Sequence, residues 1–133
     1  MPFALGCSKP LPQEDAAVVN LRKIVQAYDV AEYRLHRAPK SEEELRRFFA
    51  EAGATDDPDQ YLRSPRDGQP YIVLYGTALD PNGRNTILAH EKDGVEGKRY
   101  VITLSRDVKL LTEDEFANAE FAAETGGKKK SRK

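Results

Sequence analysis

Between residues 15 and 37 the apolar side chains Val18, Leu21, Ile24, Val25, Tyr28, Ala31 and Leu35 recur three or four positions apart. That spacing puts them on one face of an α-helix, with Asn20, Arg22, Lys23, Gln26, Asp29, Glu32 and Arg34 on or beside the other. Glu14 and Asp15 stand where the helix dipole favours carboxylates, and Pro39 marks the stop. At roughly six turns this is the longest predicted element, and it needs a broad apolar surface to lie on. A second, shorter helix opens at Ser41-Glu-Glu-Glu44, where a serine followed three residues later by a glutamate matches a capping box. Leu45, Phe48, Phe49 and Ala52 make its apolar stripe and Gly53 its C-cap, after which residues 54–60 read as a polar loop.

The pattern changes across residues 61–75. Ser64-Pro65 favours extended backbone at Ser64, Asp67-Gly68 supplies a turn able to reach positive φ, and Pro70 prevents a helix from continuing. Tyr71-Ile-Val-Leu-Tyr75 then reads as a strand, so this stretch is the corner where helical sequence gives way to strands and turns. Asp80-Pro-Asn-Gly83 is a turn, and residues 86–91 a second strand with Ile87 and Ala89 alternating against Leu88 and His90. Residues 92–97 connect it, with glycines at 94 and 97, to a third strand over 100–104 that puts Tyr100, Ile102 and Leu104 on one face. A short fourth strand follows at 108–111. Thr112-Glu-Asp-Glu115 repeats the capping box and opens a closing helix to about residue 123, anchored by Phe116, Ala119 and Phe121. Helices before strands predict the α+β class. The expected fold is a long N-terminal helix and a short second helix packed on a meander sheet of three or four antiparallel strands, with a short C-terminal helix.

The 133 residues suit one domain with a modest core, and the balance of 21 cations, 22 anions and 39% hydrophobic residues suits a well-solvated surface. Charge is unevenly placed. Lys128, Lys129, Lys130, Arg132 and Lys133 crowd the last six positions, leaving residues 1–127 with 16 cations against 22 anions. A basic tail on an acidic body differs from a nucleic-acid-binding fold, in which cations line one face of the folded domain. The single cysteine, Cys7, excludes an intrachain disulfide, and no apolar run approaches the roughly 20 residues that span a bilayer.

Candidate chemistry is sparse. His36 and His90 stand in different elements without a second ligand at metal spacing; His36 suits the C-terminal end of the first helix and His90 the solvent side of a strand. Asp56, Asp57 and Asp59 read as a solvated loop, and Ser64 and Ser105 lack a nucleophile elbow. Tyr71, Tyr75 and Tyr100 read as amphipathic packing against the sheet. The pattern predicts no catalytic residues, no cofactor and no metal ligands.

Several of these stretches carry a resemblance. The long helix, His36-Arg-Ala-Pro39, Tyr61-Leu-Arg-Ser-Pro65 and Asp67-Gly-Gln-Pro-Tyr71 are similar to the soluble head of type II secretion pseudopilins of the major, G type. In that family a helix ends at a Gly-Arg-Tyr-Pro-like step and an Asp-Pro-Trp-Gly-x-Pro-Tyr-like turn opens the sheet. Arg37 and Pro39 match the first step and Gly68, Pro70 and Tyr71 the second; Ala38 replaces the aromatic and the tryptophan is absent. Residues 87–116, with Glu91, Tyr100-Val-Ile-Thr-Leu104 and Thr112-Glu-Asp-Glu-Phe116, resemble the end of planctomycete pilin-like proteins, with Arg106-Asp107 at their Asp-Gly hairpin. That family's histidine spacing is not kept. Phe3-Ala-Leu-Gly-Cys7-Ser8 resembles a bacterial lipobox, whose cysteine becomes the lipidated first residue; only six residues precede it here, which fits a truncated signal or an ordinary start.

The resemblance implies one pilin-head-like domain over residues 14–124; the proline-containing residues 1–13 read as a flexible tail or lipoprotein tether, and Gly126-Gly127 with the basic run as a disordered tail over 125–133. It implies a non-catalytic accessory or interaction protein at the bacterial cell envelope, with protein partners and membrane attachment through a lipid on Cys7. It also points to Asp80, Asn82 and Asp93 as the places to look for the calcium of pseudopilin heads, although no run supplies the six to eight oxygens. The alternative is a cytoplasmic binding module that uses its basic tail on nucleic acid or an acidic partner.

Overall fold

A computed structural model of the protein describes residues 16–54 and 56–122. The chain order is α1 (Ala16–Leu35), α2 (Glu42–Arg46), α3 (Pro58–Leu62), β1 (Ile72–Val73), β2 (Thr86–His90), β3 (Lys98–Thr103), β4 (Val108–Thr112), α4 (Glu113–Ala117) and β5 (Glu120–Phe121). The predicted α+β class holds, with helices leading into an antiparallel meander.

α1 buries Ala17, Leu21, Ile24, Val25, Ala27, Tyr28 and Ala31. Val18 and Leu35, assigned to the stripe by spacing, are only half-buried; Ala17 and Ala27 take their place because small side chains let the helix approach its neighbours closely. The helix ends two residues earlier than expected. His36 adopts a left-handed conformation at φ 60° while its amide still donates to Glu32 O at 2.9 Å, and this single residue turns the chain out of the helix ahead of Pro39.

Ser41 caps α2, accepting from the Glu44 amide at 3.3 Å. The reciprocal half of the expected box lands one residue away: the Glu44 carboxylate accepts the Lys40 amide at 2.8 Å and grips Arg37 through two contacts of 2.9 Å. Leu45 and Phe49 are fully buried, whereas Phe48 and Ala52 are half-buried because the chain leaves regular helix after Arg46 and reaches Gly53 through turns. α3 begins inside the stretch expected as a polar loop and runs on to Leu62. Asp57 accepts the Asp59 amide at 3.0 Å and Pro58 occupies the first turn, the arrangement in which a capping carboxylate precedes a proline that needs no donor.

The sheet order is β1-β2-β3-β4, each neighbour antiparallel, with β5 parallel beside β2. β1 is shorter than the five residues expected. Ile72 faces His90 and the Leu74 amide still reaches Leu88 O at 2.8 Å, but Gly76, at φ 101°, turns the chain away to bond Pro39 O. Between Ile87 and Ala89 the β2–β3 register shifts, a bulge at Leu88. It overturns the simple alternation expected for β2. Leu88 and Ala89 both join the main core with Val73, Ile102 and Leu104, while Ile87 and Val101 are buried on the opposite face.

That opposite face is covered by the C-terminal segment. Thr112 and Glu115 form a complete capping box at α4, but α4 stops at Ala117 instead of continuing to about residue 123. Phe116 and Phe121 are five residues apart, about 140° around a helix, so one helix would not aim both at the sheet. An extended Glu120-Phe121 brings the Phe121 ring to 5.8 Å from His90, though Phe121 stays exposed and is not the buried anchor expected, and the Ala122 amide then bonds Ile87 O at 2.9 Å.

Candidate functional site

The most concentrated polar arrangement lies at the corner. Glu91, next after β2, is fully buried. Its Oε2 accepts Ser64 Oγ at 2.7 Å and Arg66 Nε at 2.8 Å; its Oε1 accepts Arg66 Nη2 at 3.1 Å and the Tyr100 amide at 2.9 Å. The Glu91 amide returns a bond to Tyr100 O at 3.1 Å. The two-pronged contact matches a planar guanidinium to a planar carboxylate, the geometry that best offsets desolvation of both charges. Arg66 also donates to Lys98 O at 3.2 Å and lies 4.8 Å above the Tyr100 ring, so β3 supplies both walls of its slot.

The corner folds to present these groups. Gly68, at φ 72°, lets its amide reach back to Ser64 O, the Ser64 amide bonds Gln69 O, and Ser64 Oγ also accepts the Arg66 amide at 3.1 Å. Asp67 is a second clamp, accepting Gln69 N at 2.9 Å on one oxygen and Asp93 N and Gly94 N at 2.9 and 2.8 Å on the other. Burial acts to raise the Asp67 carboxyl, but the Gln69, Gly94 and Asp93 amides together hold it below its usual value. Gly94 cannot be replaced there: its φ is 75° and a Cβ would sit 2.3 Å from Lys98 O. The four acceptor positions of Glu91 are all taken by protein donors, so its chemistry is to fix geometry.

His90 is the second departure from expectation. Instead of facing solvent it is buried, 4.9 Å from the Phe116 ring and 5.8 Å from Phe121, with Nδ1 2.8 Å from Glu91 O. The bulge puts it on the face opposite Leu88, where the Phe116 and Phe121 rings pack against it. Burial pushes its pKa below the ordinary value; the bond to Glu91 O opposes this and nearby Arg99 reinforces it.

Other predicted residues are dispersed. Asp80 accepts the Asn82 amide at 2.9 Å as turn chemistry, while Asp93 meets Asp67 through its amide and Arg99 through its carbonyl. Among the described residues no group of three or more His, Cys, Asp or Glu is placed to hold a metal. Asp56 accepts from the Tyr61 hydroxyl, Asp57 caps α3 and Asp59 pairs with Arg46. Tyr71 is buried, its pKa raised to about 12 by burial, and its hydroxyl reaches Ala17 O at 3.4 Å. Ser105 bridges Thr103 Oγ1 and Asp107. His36 is exposed at the end of α1. Cys7 and the cations Lys128, Lys129, Lys130, Arg132 and Lys133 lie outside the described residues. On the second sheet face a crevice of about 300 Å³ has Ile87, Val101 and Leu111 in its wall and Lys109, Glu115 and Asn118 among its polar groups.

Reading residue by residue missed the Arg66–Glu91 pair. Arg66 and Ser64 stand 25 and 27 positions before Glu91, a separation that leaves no periodic trace. The available signal was a carboxylate placed directly after an apolar strand. Comparison with protein-family models, curated proteins and solved structures finds no match.

Two outcomes follow from this geometry. Replacing Arg66 by Met leaves Glu91 buried without its counter-charge and lowers unfolding stability by about 3–5 kcal/mol in a urea titration. Ser64→Ala costs a smaller ~1–3 kcal/mol, and an Arg66→Met protein as stable as wild type would contradict the assignment. The second concerns pH. The unfolded chain takes up the imidazole proton near pH 6.5 and folded His90 only below that, so stability falls as pH drops from about 6.5 toward the folded value. Glu32, raised by burial, acts in the opposite sense at lower pH. The difference between wild type and His90→Phe therefore isolates the histidine, and identical slopes between neutrality and the folded value would refute it.

Proposed function

We propose that this chain is a non-catalytic interaction domain built like a pseudopilin head, an accessory protein of the bacterial cell envelope held at the membrane by a lipid on Cys7. The observation that carries the reading is the path of the chain around its corner. α1 lies on the sheet, and the Gly68-Gln-Pro-Tyr71 turn opens an antiparallel meander whose first tyrosine reaches back to the start of α1. The residues that carry the resemblance occupy joints where their backbone properties are needed. Pro39 is buried and its carbonyl receives Gly76 N at 3.0 Å; Gly68 is left-handed at φ 72°; Pro70 pairs with Arg63 across the turn. The two carboxylates of the corner are committed to holding that shape, which suits a rigid body presenting its surface to partners.

No helix among the described residues is long and apolar enough to cross a membrane. A lipidated Cys7 supplies attachment in this reading, and bacterial lipoproteins carry more than one acyl chain because a single chain anchors only marginally. The test is fractionation of the protein expressed from its own gene, with mass spectrometry of the peptide containing Cys7. Recovery in the membrane fraction with an acylated Cys7, and release by Cys7→Ser, is the expected result. An unmodified Cys7 and identical soluble fractionation of both forms would overturn the lipid anchor. Retention of nucleic acid at physiological salt, lost when residues 128–133 are deleted, would favour the basic-tail alternative.

A further inference from the structure

β4 pairs on one side only, with β3, from Lys98↔Thr112 to Ile102↔Val108, and no described residue pairs with its other side. Antiparallel alternation tells which of its groups face outward. Tyr100 directs both main-chain groups toward Glu91, donating its amide to Oε1 and receiving the Glu91 amide on its carbonyl. Its opposite number Leu110 is therefore in a non-hydrogen-bonded pair and points its own N–H and C=O off the sheet. Val108 and Thr112, two residues away on either side, do the same.

The capping box already uses one of these donors, since the Thr112 amide bonds Glu115 Oε1 at 2.9 Å. The Val108 and Leu110 amides and the Val108, Leu110 and Thr112 carbonyls remain as the edge. Proteins commonly blunt such an edge with a bulge, a proline or a lysine projecting over it. β4 has no proline and an unbroken register with β3, and its single lysine, Lys109, turns its ammonium to Arg84 O at 2.9 Å and Asn85 Oδ1 at 3.3 Å. Leu110, 43% exposed, leaves an apolar side chain beside the open main chain.

We propose that β4 is a self-association edge, where a second copy of this chain adds antiparallel about a twofold axis through Leu110 and the two sheets become one. In that register Leu110 faces Leu110, Lys109 faces Leu111 and Val108 faces Thr112. Two hydrogen bonds form between the Leu110 residues, and two more run to the opposite Thr112 carbonyls, one from each Val108 amide. The Thr112 amide, withdrawn by Glu115, ends the ladder. The neighbouring register, with Val108 facing Leu110, also aligns outward-pointing groups but sets Lys109 directly against Lys109, and repulsion disfavours it. The edge is thus complementary to itself in hydrogen bonds and in its exposed leucine, and this register sets no like charges opposite one another, which is what an isologous interface requires. The inference does not depend on the envelope reading.

Sedimentation equilibrium over a concentration series reaching the millimolar range tests it. Wild type is expected to pass from monomer to dimer. Leu110→Pro deletes only an outward N–H and spares the β3–β4 ladder, so it weakens association by at least about tenfold while circular dichroism stays folded. Leu110→Lys, which leaves the backbone intact, sets two cations face to face and weakens it similarly. In a Cys7→Ser background with oxidised glutathione, Leu110→Cys forms a disulfide-linked dimer, because opposed residues of a hydrogen-bonded pair have Cα atoms about 5.5 Å apart. Val108→Cys does not. A wild type that stays monomeric throughout, or a dimer that both Leu110→Pro and Leu110→Lys leave intact, would overturn the proposal.

Discussion

A carboxylate buried in protein must be matched by donors or expelled, and Glu91 is buried completely. The penalty for taking such a charge and its guanidinium partner out of water is several kcal/mol for each ion, so the arrangement stands only if every acceptor position is filled. Here the donors come from the corner and from β3, at 2.7–3.1 Å. This requirement fixes three segments at once. The corner is held against the end of β2, β3 is set in register at Tyr100, and Tyr71 follows the corner at the position from which it meets the first turn of α1. Asp67 repeats the device for the β2–β3 loop through the Asp93 and Gly94 amides.

The bulge at Leu88 distributes the rest. By sending Leu88 and Ala89 to the core under α1, it leaves Ile87 and His90 for the other face, and it leaves the Ile87 carbonyl for the returning Ala122 amide. The sheet therefore packs on both faces, one beneath α1 and one crossed by α4 on its way to β5, which extends the sheet beside β2. His90, Phe116 and Phe121 pack edge to face where the second cover meets the sheet, and the Arg99 guanidinium lies 4.2 Å over Phe116 as its outer lid. With β2 flanked by β1, β3 and β5, the long unpaired edge among the described residues is that of β4.

Much of this architecture was legible because it is written locally. The 3.6-residue stripe located α1, the Ser64 to Pro70 punctuation located the corner, and Thr112 with Glu115 located the start of α4. Asp57-Pro58 was equally readable as a cap and first helical residue, but the surrounding aspartates made the stretch look like loop. The length of α4 was misjudged because capping boxes signal beginnings; the stop depends on β5 finding Ile87, a tertiary event. For the same reason the bulge, the burial of His90 and the Ser64–Arg66–Glu91 cluster were not visible, since each depends on residues that meet only when the chain has folded. The family resemblance rests on the corner and helix order, where local signals are strongest.

The central claim is that Glu91 and its donors open only when the molecule as a whole unfolds. Native-state amide hydrogen exchange of Tyr100 tests this most directly, because its N–H is spent on the Glu91 carboxylate. The account predicts that Tyr100 exchanges with the same free energy as the core amide of Leu104, which is bonded to Thr86 O at 3.0 Å. A Tyr100 amide that exchanges as readily as that of exposed Gly97, while Leu104 stays protected, would show the cluster opening on its own and would contradict it.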